Sequence, residues 1–324
     1  MYLPINKEDM LKSGRVTEDE LPAVEEYIDL NQSDEPDGGL RLSNVIALDM
    51  LATNAANGWK RPIYFAMTVP DSYYLNLSPY MRSTGMAYEV GPIKNTDYDG
   101  YHMAVNTDKA YDNIVNKFRW GGLDKTKSAD DIYLDETVRR MVTTTRSTML
   151  DLATALYNEG VTAEIYFHQD SVNMDAPQKE KVTSFIADRY AKAQTVIDMM
   201  TEKLPVYTTP YGVSVGLQVA ELYSRLGEIT DNKADREKAL QILLDEINLY
   251  KQYVLYFQSL TPAQLSTLTR TDRYIYDSYF VSLISAYAEC GGDAQELMKQ
   301  LQSEGVNFSR YYRSQTENAP KTVE

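Results

Sequence analysis

The sequence is poor in the residues on which most site chemistry depends. It has one cysteine, Cys290, and two histidines, His102 and His168, in 324 residues. A lone cysteine excludes an intramolecular disulfide, and it fits either a reducing compartment or an export route that avoids thiols. The histidines stand 66 residues apart, with no Cys or His near either. A zinc site needs three or four ligands at workable spacing, so both read as surface or loop residues. Cys290, on a face with alanine and tyrosine, reads as a buried structural thiol rather than a nucleophile. No glycine-rich phosphate loop follows a strand, since Gly121-Gly122 and Gly291-Gly292 read as helix ends. No serine sits in a nucleophile-elbow pattern. The expectation is no catalytic residue, no metal and no cofactor.

Positive charge is also short. Lys and Arg total 32 against 47 Asp and Glu, a net charge of −15. Such an excess repels phosphate backbones, so nucleic acid is not an expected partner, and it disfavours docking on anionic lipid through a basic patch. No run approaches the roughly 20 apolar residues needed to span a bilayer. The start, Met1-Tyr2-Leu3-Pro4-Ile5-Asn6-Lys7, lacks the basic segment and apolar core of a signal peptide. The abrupt, uncapped beginning leads us to expect a fragment whose targeting element lies upstream.

What is present is organised around residues 57–94. Asn57-Gly58 is a turn signal, and Trp59 to Val69 is an apolar, aromatic run stopped by Pro70, the pattern of a buried strand. Met86 to Ile93 reads the same way. Ahead of them, Thr17-Glu18-Asp19-Glu20 reads as a capping box opening a short helix, Glu25 to Leu30 as a brief strand or turn, and Ser33 to Gly39 as a loop. Ser43 to Ala56 reads as a helix with Ser43 as N-cap and Val45, Ile46, Leu48, Met50, Leu51 and Ala55 on its apolar face. Ser72 to Thr84 reads as a short helix interrupted at Pro79. Asn95 to Asn106 reads as a loop. Thr107 opens a helix that ends at Trp120-Gly121-Gly122, and the polar stretch Leu123 to Asp131 is the candidate linker.

Beyond it the pattern is helix and turn throughout: Asp135 to Asn158, Gln178 to Lys203, Val213 to Leu226, Lys233 to Ser259, a start at Thr261-Pro262, Tyr274 to Cys290, and Ala294 to Ser303. The tail after Asn307 is polar. Tyr157, Tyr223 and Tyr287 recur 66 and 64 residues apart, each followed within four residues by glycine. Stacked helix pairs of this style resemble tetratricopeptide repeats, although the spacing is nearly double their ~34 residues. The fold class is therefore mainly α (α+β): a small α/β unit over 1–127, then a tetratricopeptide-like array of helical hairpins over 128–324.

The abundant residue is tyrosine, with 26 copies. Aromatic faces with hydroxyl tips suit stacking on sugars or in peptide grooves. Tyr64, Tyr73, Tyr74, Tyr80 and Tyr88 cluster in the first unit and are the candidate ligand-binding residues. Tyr250, Tyr253, Tyr256, Tyr274, Tyr276 and Tyr279 cluster in the second. At helical spacing, tyrosines also serve as half-buried packing. Trp59 and Trp120, each beside a glycine at an element boundary, read as anchors of the α/β unit. The acidic pairs Asp130-Asp131 and Asp135-Glu136 suggest either a glycosidase pair or helix starts that favour the dipole; the second reading is preferred.

An ordered series of short stretches carries a resemblance. It runs through Leu48-Asp49-Met50-Leu51-Ala52, Asn57 to Ala66, Tyr74-Leu75-Asn76-Leu77, Gly85-Met86-Ala87-Tyr88, Val90 to Lys94, Asn106-Thr107-Asp108, Tyr111-Asp112-Asn113, Asn116 to Gly121 and Ile132 to Glu136. Over about residues 1–150 the chain resembles the soluble C-terminal region of a Bacteroidetes membrane-protein family, domain of unknown function 2723. Full-length members of that family look like membrane-embedded glycosyltransferases similar to protein O-mannosyltransferases. The resemblance implies an extracytoplasmic appendage on the periplasmic face of the inner membrane, tethered through an N-terminal membrane domain absent here. It carries over no catalytic residue. The implied role is a non-catalytic accessory domain that binds an acceptor protein, a glycan or a partner subunit, with the α/β unit near the membrane and the array presenting a groove. Alternatives are a free-standing glycan-binding protein similar to starch-utilisation lipoproteins, against which the lack of an N-terminal cysteine counts, and a hydrolase using an acidic pair.

Overall fold

A computed structural model of the chain describes residues 2–30, 41–95 and 103–309. The loop Ser33 to Gly39, His102, most of the 95–106 loop and the tail beyond Ser309 lie outside the described residues. The fold is mainly helical with small N-terminal sheets. It divides into two compact units, one of residues 1–121 with 151–158, the other of 122–150 with 159–324.

In the first unit, β1 (Tyr2–Pro4) pairs antiparallel with β2 (Tyr27–Asp29), with α1 (Lys7–Lys12) between them in sequence. The Thr17 and Glu20 capping hydrogen bonds form, but they close a turn and no α-helix follows. The helix α2 (Leu42–Ala56) starts from Arg41 without a side-chain cap, so Ser43 is already inside it. Its buried side is only in part the one expected, and of that face Leu48 packs against the core with Leu51 and Ala55. Asn44, Leu51 and Ala55 are buried, while Val45, Ile46 and Met50 are exposed. The small residues Ala47, Ala52 and Ala55 let this face approach the core closely, and that selects it over the bulkier stripe.

The strands are β3 (Tyr64–Ala66), β4 (Met81–Ser83), β5 (Ala87–Val90) and β6 (Ala104–Val105), in the order β3-β5-β4-β6, antiparallel except for the β4–β6 pair. The first expected strand is real but is an edge strand, not a buried one, and Tyr64 is 42% exposed. Ser72 to Thr84 is not a helix. It holds two 3₁₀ turns, Asp71–Tyr73 and Ser78–Tyr80, and then β4. Leu75 and Asn76 adopt positive φ of 56° and 58°, which no right-handed helix accommodates. The core gathers Leu3, Ile28, Leu51, Trp59, Leu77, Met81 and Val90. Trp59, 1% exposed, donates its indole N–H to the Pro4 carbonyl at 3.1 Å. Trp120 is only half-buried, its ring 6.4 Å from that of Phe118. The helix α3 (Thr107–Tyr111), capped by Asn106, continues as a π-helical turn to Lys117.

In the second unit the expected linker is structured. Asp124 pairs with Lys203 at 2.8 Å, and Ser128 with Asp131 forms a capping box. The helix α4 (Glu136–Asp170), capped by Asp135, does not stop at Asn158 but runs on through Gly160. Gly160 keeps ordinary helical geometry and serves close approach. The edge of the Tyr190 ring lies against it, where a Cβ would sit 2.6 Å from Cε1. The helix α5 (Ala176–Lys203) has the Asp175/Gln178 capping box, and α6 (Val215–Ile229) runs through Gly227. Next come α7 (Lys233–Ser259), α8 (Pro262–Leu265) with Thr261 as cap, α9 (Arg270–Tyr274), a π-helical turn over Ile275–Tyr279, α10 (Phe280–Glu289) and α11 (Ala294–Ser303). Here α6 and α7 form a helical hairpin, α10 packs on α7 and α6, and α11 packs on α10. Asp131 and Asp135 hold helix or turn starts by accepting backbone N–H bonds, as the dipole reading of the acidic pairs expects.

Candidate functional site: an apolar groove on the helical unit

The helix α7 presents Lys238, Gln241, Ile242, Asp245, Glu246 and Leu249 to one side. These positions recur at three- and four-residue steps and so form one face of the helix. Opposite them stands the segment between α5 and α6, which supplies Pro205, Val206, Tyr207, Pro210 and Tyr211. Thr201 of α5 and Tyr223 of α6 complete a groove of about 580 Å³. Proline at both ends of the segment fixes φ and withholds two N–H donors, so it follows neither helix.

A single buried cation holds that segment in place. Arg146 of α4, 1% exposed, donates Nη2 to the carbonyls of Leu204 (2.8 Å) and Pro205 (3.1 Å) and Nη1 to that of Pro210 (3.2 Å). Its guanidinium carbon lies 5.1 Å from the Tyr211 ring centroid. The planar fork suits three carbonyls at once, which lysine does not match. Tyr207 donates its hydroxyl to the Thr126 carbonyl at 2.6 Å, which ties the outer edge down as well.

One end of the groove is a polar network. Asp198 of α5 accepts from Tyr223 Oη (2.9 Å), Lys238 Nζ (2.7 Å) and Gln194 Nε2 (2.9 Å). Burial alone would raise the Asp198 pKa, but these three bonds outweigh it and hold the carboxyl below its usual range. The Lys238 ammonium also lies 5.0 Å from the Tyr223 ring centroid.

Glu246 is different. Its carboxyl is buried and has one hydrogen bond, from Tyr279 Oη at 3.4 Å. Gly216 of α6 lies so close that a Cβ there would sit 2.5 Å from the carboxyl carbon. Burial pushes the Glu246 pKa up to about 7, with Asp245 raising it further, while the Tyr279 hydrogen bond and Arg146 pull it down. A carboxyl raised this way suits proton transfer. Acid-base hydrolysis of a glycoside, however, uses two carboxyls facing each other across a cleft. Both carboxyls lining this groove, Asp245 and Glu246, come from the same helix, and the proline-rich wall supplies none.

The five tyrosines expected to bind ligand lie elsewhere, in the first unit, and are not brought to one face. Tyr64 pairs with Glu89 and Tyr88 with Phe65 across β3 and β5, so Tyr64 and Tyr88 point to opposite sides of the sheet. Tyr74 and Tyr80, each 4% exposed, are core residues whose hydroxyls donate to the Val69 carbonyl (2.8 Å) and Glu25 Oε2 (2.6 Å). Tyr73 is half-buried with the Arg41 guanidinium 4.8 Å from its ring centroid. In the second unit Tyr250, Tyr276 and Tyr279 are buried, while Tyr253, Tyr256 and Tyr274 are exposed. His168 is exposed near Glu164 at 3.9 Å, and burial raises the Cys290 thiol pKa. No cluster of His, Cys, Asp and Glu suited to a metal occurs among the described residues. Sequence reasoning missed Arg146, Tyr207, Tyr211 and Glu246. The signals available for them were the Pro205/Pro210 bracket and the mixed face of α7.

Residues 1–109 match the model of the family described as TMEM260-associated domain 2. That stretch is similar to a domain associated with a membrane protein family. The match ends before the groove begins. No curated protein and no solved structure matches the chain. No helix among the described residues is long and apolar enough to cross a membrane.

Proposed function

We propose that this chain is a non-catalytic accessory domain of a membrane-embedded, glycosyltransferase-like protein, and that its helical unit holds an extended peptide segment of an acceptor or partner protein. The groove on α7 carries this reading. Most of its exposed lining is apolar, from proline, tyrosine, valine, isoleucine and leucine, and the polar side chains Thr201, Lys238, Gln241, Asp245 and Glu246 stand among them. A slot whose open surface is mostly apolar, with the Tyr207 and Tyr223 hydroxyls already engaged by Thr126 and Asp198, suits a peptide anchored by an apolar side chain better than a sugar, whose hydroxyls need paired donors and acceptors. Arg146 fixes the wall before any ligand arrives, which lowers the ordering cost of binding. The chain's net charge of −15 and the exposed Asp245 at the groove favour a peptide with basic residues beside the anchor.

The membrane association is supported by the family match over residues 1–109. The finer assignments rest on the resemblance to the Bacteroidetes family: glycosyltransferase parentage, a periplasmic position at the inner membrane, and the chain's own N-terminal membrane domain as a constant partner. Binding to a peptide array and to an oligosaccharide array tests the reading. Peptides with an apolar anchor flanked by Lys or Arg are expected to bind, and Ile242→Glu is expected to weaken them about tenfold or more by placing a charge in the slot. Oligosaccharide binding that survives Ile242→Glu, or no peptide binding, refutes it.

A further inference from the structure

The first unit carries a concentration of positive charge that the acidic chain as a whole does not suggest. A pocket of about 340 Å³ is lined by Arg15, Lys60, Arg82 and Lys109 against two carboxylates, Glu20 and Glu89. Sheet register builds it. Tyr64, Glu89 and Arg82 are directly opposed across β3, β5 and β4, so all three stand on one face. Arg15, from the turn after α1, and Lys109, from α3, then close over that polar row.

The internal pairing leaves a surplus. Glu89 serves two cations at once, Arg15 Nη1 and Lys109 Nζ, both at 2.7 Å. Arg15 also donates Nη2 to the Val90 carbonyl (3.0 Å), and Lys109 donates to Tyr64 Oη (2.8 Å). Burial alone would lower the Lys109 pKa, but its bonds to Glu89 and Tyr64 raise it, so the ammonium stays charged. Arg82 reaches Glu20 only at 3.4 Å. Lys60 is exposed and has no ion-pair partner among the described residues. Four cations thus line, with only two carboxylates, a concave site where three of them are paired and the Arg15–Glu89 pair is largely withdrawn from water.

We propose that this pocket binds a small phosphorylated ligand, a phosphate ester of a sugar or lipid headgroup, with Lys60 and Arg82 as the principal phosphate contacts and Arg15 and Lys109 as the shared wall. Arginine matches phosphate bidentately and lysine serves it as a point charge. The site is separate from the α7 groove and does not depend on the peptide reading.

Calorimetric titration of the whole chain with inorganic phosphate tests it, alongside sedimentation with phosphatidylcholine vesicles that contain or lack phosphatidic acid. Saturable phosphate binding is expected. Lys60→Met, an exposed change with no fold to disturb, is expected to weaken it about tenfold, the worth of one charge-assisted hydrogen bond. Glu89→Gln is expected to tighten it about fivefold by releasing Arg15 and Lys109 from a competing carboxylate, a gain that a merely structural role for Glu89 would not produce. Phosphatidic-acid-dependent sedimentation lost in Lys60→Met assigns the ester to a lipid headgroup; phosphate binding without sedimentation assigns it to a soluble ester. Absence of binding in both arms, or binding unchanged in both Lys60→Met and Arg82→Gln, overturns the proposal.

Discussion

Replacing Gly160 by alanine sets two known effects against each other. In a helix interior, Gly→Ala normally stabilises by about 1 kcal/mol, because alanine restricts the unfolded chain and shields the backbone. In α4 the added methyl would lie 2.6 Å from Tyr190 Cε1 and 2.9 Å from Cδ1, well inside the ~3.5–4.0 Å of normal carbon contact. The ring has little freedom to yield. Tyr190 is 5% exposed and donates its hydroxyl to Glu164 Oε2 at 2.8 Å. Forced overpacking of this kind costs about 1–3 kcal/mol, so the net effect is a loss of about 1 kcal/mol, opposite in sign to the propensity rule. Urea denaturation with an unchanged slope measures it. In a Tyr190→Ala background the obstruction is gone, and Gly160→Ala should then stabilise by about 1 kcal/mol, a coupling of about 2 kcal/mol between the two sites. Stabilisation by Gly160→Ala with Tyr190 in place refutes the close crossing of α4 and α5.

Glu246→Gln tests the buried carboxyl. Its folded pKa of about 7 lies above the ordinary 4.5, so the folded state favours the protonated form. The associated stability is fully present below pH 4.5 and is lost as pH rises through 7, a loss on the order of 3 kcal/mol at one pKa unit per 1.36 kcal/mol. The glutamine variant should be less pH-sensitive between pH 5 and 8 in urea melts and more stable than the parent at pH 8. Trp59→Ala should cost about 3–5 kcal/mol, since the indole is buried and hydrogen-bonded to Pro4. Trp120→Ala, at a half-buried ring, should cost about 1–2 kcal/mol. Equal costs for the two would contradict the placement of Trp59 alone in the core.

Local signals carried much of the helical unit. The helix α7 begins at Lys233 and ends at Ser259, and α11 spans Ala294 to Ser303, both as periodicity expects, with their starts fixed by side-chain N-caps at Asn232 and Asp293. Glycine was the misleading signal. Gly160 and Gly227 read as helix ends, yet both lie within helices, where close neighbours use the missing side chain. That use depends on residues distant in sequence. Of the sheet, β3 and β5 were legible as apolar runs, whereas β4 and β6 lie in stretches that read as helix and loop, and nothing local marks β3 as an edge. Choosing tyrosines by density favoured Tyr74 and Tyr80, which the core takes. The groove depends instead on Arg146 meeting carbonyls about 60 residues away, a pairing that no spacing rule reveals.

Amide hydrogen exchange of the chain, with and without its tightest array-selected peptide, tests the central claim most directly. A peptide seated on α7 should slow exchange in the C-terminal turn of α5, along residues 204–214 and around Gln241 to Leu249, and leave the other helices unchanged. Protection that falls outside these segments, or none at saturation, would contradict the claim that this groove is where the protein holds its partner.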